Sequence, residues 1–268
     1  MLQAKIQFLT GACVVALTTW ASAKTVDLTT AGSSGTANGG FFQQINPQST
    51  GTGVIDPFLR IQANGTEQGF NNNVDVFTLD DVAKGGQTFN HDIQLSSVPI
   101  VVNPTGAPAG SYYQFLLDIN EPNGASQALL SLHELEIWLK DSPITSLSDP
   151  GVYSDLTGSG AVLSWDLDSG PPNSDGDSVI ELNYNLNAGS GAGDMFAYIP
   201  VSALGTDGSK YVYLYSAFGN PNASGDGFEE WSVLTATPIP LPAAAWMGMA
   251  LLGGTGAVGF IRRRMAGL

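Results

Sequence analysis

The densest chemistry in this chain is a run of oxygen donors, Asp166-Leu167-Asp168-Ser169-Gly170-Pro171-Pro172-Asn173-Ser174-Asp175-Gly176-Asp177, with Glu181 beyond it. Calcium is held by about six to eight oxygens from carboxylates, amide side chains and backbone carbonyls. Asp166, Asp168, Asn173, Asp175 and Asp177 offer such oxygens from one loop, and Gly170 and Gly176 permit the tight backbone that exposes carbonyls. The loop does not follow the EF-hand template. Counted from Asp166, Pro171 stands where the glycine belongs; counted from Asn173, Ser178 does. The expectation is a calcium site on a β-loop of another kind. The ordinary reading is a polar hairpin loop, since Asp, Asn, Gly and Ser are common turn formers. A second loop, Asn220–Gly227, is similar in composition, and Asp226, Glu229 and Glu230 are its candidate ligands.

Other reactive types are sparse or ambiguous. Glu134 and Glu136 share one side of a strand, and Asp118 and Glu121 flank a turn. Glycoside hydrolysis needs two carboxyls at a set separation across a sugar bond. The ordinary reading of such a pair is a solvated acidic strand face. The histidines are only His91 and His133. His91-Asp92 lies near Ser96 and Ser97, but no G-x-S-x-G elbow holds a serine nucleophile. Zinc takes about three or four His, Cys or carboxylate ligands, and two distant histidines without a cysteine do not make that set. Trp138, Trp165 and Trp231 stand near Asp and Asn, a combination that can stack on sugars, although core packing is the commoner role. No constellation reads as catalytic, so the domain is expected not to be an enzyme.

These residues must be positioned by strands. Tyr113, Phe115, Leu117 and Ile119 fall on one face of a period-two strand. Leu135, Ile137 and Leu139 do the same, opposite Glu134, Glu136 and Trp138. Val74–Leu79, Ala161–Leu167, Ser178–Tyr184, Met195–Ile199, Tyr211–Ala217 and Trp231–Ala236 are further candidates, separated by Gly, Pro, Asn and Asp. Short strands at this spacing predict an all-β fold, a β-sandwich of jelly-roll-like topology. Residues 24–53 read as loop-rich, with Thr29–Thr36 lacking any apolar period and Phe41-Phe42 available to anchor them. Ala125–Leu130 could form a helical turn or two.

All 24 acidic residues lie between Asp27 and Glu230, and residues 24–237 contain only five basic ones, a net charge of −19. Such a surface repels nucleic-acid phosphates, whose binding needs Lys and Arg, so no nucleic-acid partner is expected. It suits solubility and divalent cations. The single cysteine, Cys13, precedes this domain, which rules out a disulfide framework within it.

The two ends carry signals of their own. Lys5, the apolar run Phe8–Leu17 and the A-x-A site Ala21-Ser22-Ala23 read as a signal peptide over residues 1–23, with Ala21 and Ala23 setting the cleavage site. At the other end, Ile239-Pro240-Leu241-Pro242-Ala243 opens a 19-residue uncharged run, Ala243–Ile261, which Arg262-Arg263-Arg264 closes. That length suits one membrane crossing, and the arginines would stay cytoplasmic with the acidic domain outside.

The motif, apolar helix and basic end, in that order, resemble the PEP-CTERM class of sorting tails, in its VPLPA variant, with Ile239 in place of valine. The resemblance covers the C-terminal tail, residues 238–268. It implies an exosortase-type processing enzyme as partner, a membrane-spanning intermediate, and a place in the envelope or matrix of an exopolysaccharide-producing bacterium. Gly53–Phe58 and Gly225–Trp231 are similar in layout to exported domains with this same tail, a likeness that brings no activity. The expected function is an envelope or extracellular-matrix protein, calcium-stabilised and polysaccharide-binding. A secreted polysaccharide hydrolase using a carboxylate pair and a purely structural matrix subunit stand as alternatives.

Overall fold

The computed structural model describes residues 24–45, 55, 57–74, 89–122, 124, 127–147, 153–168, 178–189, 191, 193–225 and 227–233. The chain divides into two units, Met1–Leu234 and Thr235–Leu268, and the described residues all belong to the first. The signal peptide, the strand expected at Val74–Leu79, the sorting motif, the apolar run and the arginines lie outside them, Val74 excepted. Among the described residues, no helix is long and apolar enough to cross a membrane.

Among the described residues the fold is all-β, with two seven-stranded sheets. The first runs β1 (Lys24–Asp27), β12 (Ser178–Asn183), β10 (Leu129–Lys140), β14 (Tyr211–Phe218), β6 (Glu67–Phe70), with β11 (Val162–Asp166) on β10 and β7 (Ile93–Gln94) on β14. The second runs β2 (Ser34–Ala37), β3 (Gly40–Gln44), β13 (Met195–Pro200), β9 (Ser111–Asp118), β16 (Glu229–Ser232), β4 (Pro57–Ile61), with β8 (Ile100–Val102) on β9. β5 (Asn64–Gly65) and β15 (Ser224–Gly225) form a separate small pair. β1 and β12 run parallel.

The sheets share one core. Phe115, Leu117 and Trp231 enter it from the second sheet, and Ile137, Leu214 and Phe218 from the first, each wholly buried. Complete burial of one such side chain contributes about 1.5–3 kcal/mol. The period-two expectation for Tyr113, Phe115, Leu117 and Ile119 is met in full, since all four lie in this core.

β10 holds the detail that positions the site. Its core residues are Leu130 and Leu132, then Leu135, Ile137 and Leu139. Going from even to odd numbers would turn the later set outward unless one residue were added. The register against β14 shifts between Leu132 and Glu134, so His133 is that extra residue, a β-bulge. Beyond it, Glu134, Glu136 and Trp138 stand on the face away from the core.

That outer face is covered. Phe70, Trp138, Tyr213, Tyr215 and Ala217 pack there against Ile144, Leu156 and Ala161, forming a second apolar cluster. The cover includes a short helix, α1 (Tyr153–Gly158). It makes Glu134 and Glu136 buried residues rather than a solvated strand face.

Two sequence expectations are corrected. Residues 24–53 are not uniformly loop, because β1, β2 and β3 fall within them. Their strands are made of small and polar residues, pinned by Phe42 in the main core and by Phe41 beside Tyr112 and Tyr198. Leu129 and Leu130 begin β10 instead of continuing a helical turn.

Candidate metal centre

β11 pairs with β10 so that Asp166 stands opposite Glu136. Strand periodicity places Glu134 on the same face two residues away. One oxygen from each of Glu134, Glu136 and Asp166 lies within 4.8 Å of the other two, and all three residues are buried. Sequence reading had Asp166 in a loop site and Glu134 with Glu136 as a separate pair. The fold joins them.

Asp168 is buried beside them and donates its backbone N–H to Asp166 Oδ1 at 2.9 Å. Asn38 fixes this corner from β2's end. Its Nδ2 donates to the carbonyls of Asp166 at 2.8 Å and Asp168 at 3.2 Å, and its own carbonyl accepts from Trp165 Nε1 at 3.0 Å. Asn38 has φ of 38°, a left-handed conformation that asparagine tolerates better than most residues. Asn173, Asp175 and Asp177 lie outside the described residues.

The donors around Glu136 come from the covering segment and its own strand. Tyr153 Oη donates to the Glu136 carboxylate, 2.8 Å from each oxygen, and Trp138 Nε1 donates to Oε2 at 2.7 Å. Burial, and then the Glu136 carboxylate it serves, raise the pKa of Tyr153 and hold its proton in place. Asp166 is pushed up to about 7, first by burial and then by the charges of Glu136 and Asp168, against the N–H of Asp168. Two like charges about 4 Å apart repel by about 4 kcal/mol at an effective dielectric of about 20. A divalent cation removes that repulsion. Donors that are all oxygen suit calcium or magnesium in preference to zinc.

A cleft of about 430 Å³ opens on the same sheet, lined by Thr66, Gln68, His133, Tyr215 and Asn220 among others. Tyr215 Oη donates to Gln68 Oε1 there.

The remaining candidates scatter. His91 Nδ1 sits 3.1 Å from the Asp92 carbonyl, and Ser96 and Ser97 lie in a 3-10 turn. Asp118 accepts the N–H groups of Gly191 and Gly193, each at 2.7 Å, whereas Glu121 accepts from Gly225 N at 2.7 Å. Trp138, Trp165 and Trp231 are all buried, in keeping with core packing as their commoner role, and offer no exposed sugar-stacking surface. Glu230 is bonded to Arg60, and Asp226 lies outside the described residues. Tyr153 and Asn38 were missed by sequence reading.

The chain matches no family model, no curated protein and no solved structure.

Proposed function

We propose that this chain is an exported protein of the cell envelope or extracellular matrix. Its domain is read as a jelly-roll-like sandwich that holds calcium as a structural ion and binds extracellular polysaccharide. Delivery rests on the ends of the sequence: the leader closed by Ala21-Ser22-Ala23, and the Ile239–Ala243 motif followed by an apolar run and Arg262-Arg263-Arg264. On this reading an exosortase-type enzyme recognises the tail while its helix crosses the membrane.

The observation that carries the calcium assignment is the convergence of Glu134, Glu136 and Asp166, buried, with oxygens within 4.8 Å of one another. Asp168 adds a fourth carboxylate at the same corner. The cleft beside the bulge, lined by the polar side chains of Thr66, Gln68, His133 and Asn220 among others, supports glycan binding. A polysaccharide hydrolase would use the same carboxylates. Against it, Glu136 already accepts from Tyr153 and Trp138, and its burial leaves no access for a sugar.

Thermal melts of the full chain in detergent, with calcium and with chelator, test this reading. A site filled about a hundredfold above its dissociation constant adds about 2.7 kcal/mol. For a domain of this size that raises Tm by several degrees. The part of the rise that comes from this site should disappear in Asp166→Asn combined with Glu136→Gln. An unchanged Tm in saturating calcium would remove the ion from the account.

A further inference from the structure

β8 is an edge strand. Among the described residues it pairs with β9 alone. Ile100 stands opposite Tyr113, Val101 opposite Tyr112 and Val102 opposite Ser111. Two backbone bonds fix which groups face that neighbour. Gln114 N donates to the Pro99 carbonyl at 2.9 Å, and Asn103 N donates to the Gly110 carbonyl at 2.8 Å. In an antiparallel pair, bonded positions alternate with unbonded ones. Val101 therefore turns its backbone groups to β9, while Ile100 and Val102 turn theirs to the open edge.

The side chains there are open as well. Four large apolar side chains are exposed among the described residues, and two of them belong to this strand, Ile100 at 50% and Val102 at 66%. Edge strands are commonly guarded by lysines or other charges. No charged residue occurs from Ile93 to Leu117. The strands that follow β9 in the sheet, β13 and β3, are uncharged too. Residues 24–237 as a whole carry a net charge of −19. Two copies of the domain therefore repel over most of their surface, and a neutral strand is where they can meet at least cost.

We propose that β8 pairs with β8 of a second copy of this chain, antiparallel, about a two-fold axis at Val101. The strand is complementary to itself in this register. Ile100 faces Val102 of the partner subunit, and Val102 faces Ile100 of the partner subunit. Each of these pairs exchanges two N–H···O bonds through the backbone groups that point to the edge. The same pairs bring the exposed apolar side chains side by side. A different protein would need its own neutral edge to approach this surface, whereas a second copy brings one with it. The ladder is short by design. Asn103, with φ of 50°, breaks the extended backbone, and Pro104 has no N–H to continue it. The contact is isologous and occupies the strand when it closes, so it makes a dimer and no fibre through this edge.

Oxidative cross-linking of the full chain in detergent tests the pairing. Each variant also carries Cys13→Ser, so that the introduced cysteine is the sole one. Unbonded antiparallel pairs hold their Cα atoms about 4.5 Å apart, within the range a disulfide spans. Val101→Cys, on the axis, should therefore give a covalent dimer under mild oxidation. Val162→Cys, at a valine 65% exposed on the other sheet, should stay monomeric. Val102→Lys sets a lysine against each Ile100, and it should lower the Val101→Cys cross-link about tenfold while leaving Tm unchanged. Adding Ile100→Glu puts Lys opposite Glu in both pairs and should restore most of the cross-link. If Val101→Cys cross-links no more than Val162→Cys, the pairing is overturned and β8 is an edge kept single by its flanking prolines. A cross-link that Val102→Lys leaves intact, or that Ile100→Glu does not restore, would contradict the register about Val101.

Discussion

Glu136 and Glu229 are both completely buried carboxylates, and their surroundings differ. Glu136 receives Tyr153 and Trp138 as donors and has Asp166 and Glu134 beside it. Glu229 has the carboxyls of Glu67 and Glu121 and the backbone of Asn120 beside it. The first is a partly built site in which protein donors carry some of the negative charge. In the second, burial and the neighbouring carboxyls raise the pKa and favour the neutral, protonated form. The comparison teaches that burial alone does not define a cation site. What matters is how much of the charge the protein's own donors have already met.

The largest expected effect comes from closing the second region. Gly227→Ala would drive a methyl into the Asn120 carbonyl, and it should cost about 3 kcal/mol or more in urea unfolding, beyond the usual range of overpacking. Calcium binding at the Glu136 region should be unchanged by it. A smaller loss would mean that the loop yields and that the glycine is not structural.

Tyr153→Phe sharpens the comparison from the other side by making Glu136 more like Glu229. Loss of a hydrogen bond to a charged group should destabilise the chelator-treated chain by about 2 kcal/mol, and by less in calcium. Equal losses in both media would argue that no ion shares the carboxylate.

The pH response follows from the raised carboxyls. Asp166 moves from 3.8 to about 7 and Glu121 from 4.5 to about 7, in both cases chiefly through burial. A carboxyl with a raised folded-state pKa favours the fold while protonated, and that contribution is lost as pH rises through the folded value. Without divalent ions, Tm should therefore fall between about pH 4 and pH 7. Calcium should flatten the fall. A rise over that window in chelator would contradict the burial of these two carboxyls.

The smallest effect serves as a control. Lys210 and Asp141 form an exposed ion pair, and Asp141→Asn should change stability by no more than about 0.5 kcal/mol, in calcium or in chelator. A calcium-dependent change there would point to a surface ion unrelated to the buried carboxylates.

Much of the framework was legible in the sequence, and the site was legible only in fragments. The alternation of Leu135, Ile137 and Leu139 with Glu134, Glu136 and Trp138 fixed both faces of β10, because a period of two is a local property. Asp166 and Asp168 stood out by composition. Their meeting with Glu136 depends on which strands pair and in what register, and residues 30 apart carry no local sign of that. The covering segment was hidden for a related reason. Ile144, Tyr153 and Leu156 are spread through polar sequence and lack a repeating period, so nothing local predicts a second apolar cluster. β2 and β3 were missed because Ser34–Ala37 and Gly40 are small residues that pack as strands only once Phe41 and Phe42 are buried. Glu67, Glu121 and Glu229 lie far apart in the chain, and only the closure of the two sheets brings them into one group.

The most direct test of the central claim is anomalous diffraction from crystals of the chain grown in saturating calcium. The account predicts a calcium peak about 2.3–2.6 Å from oxygens of Glu134, Glu136 and Asp166. Anomalous density elsewhere but none at these three carboxylates would contradict it.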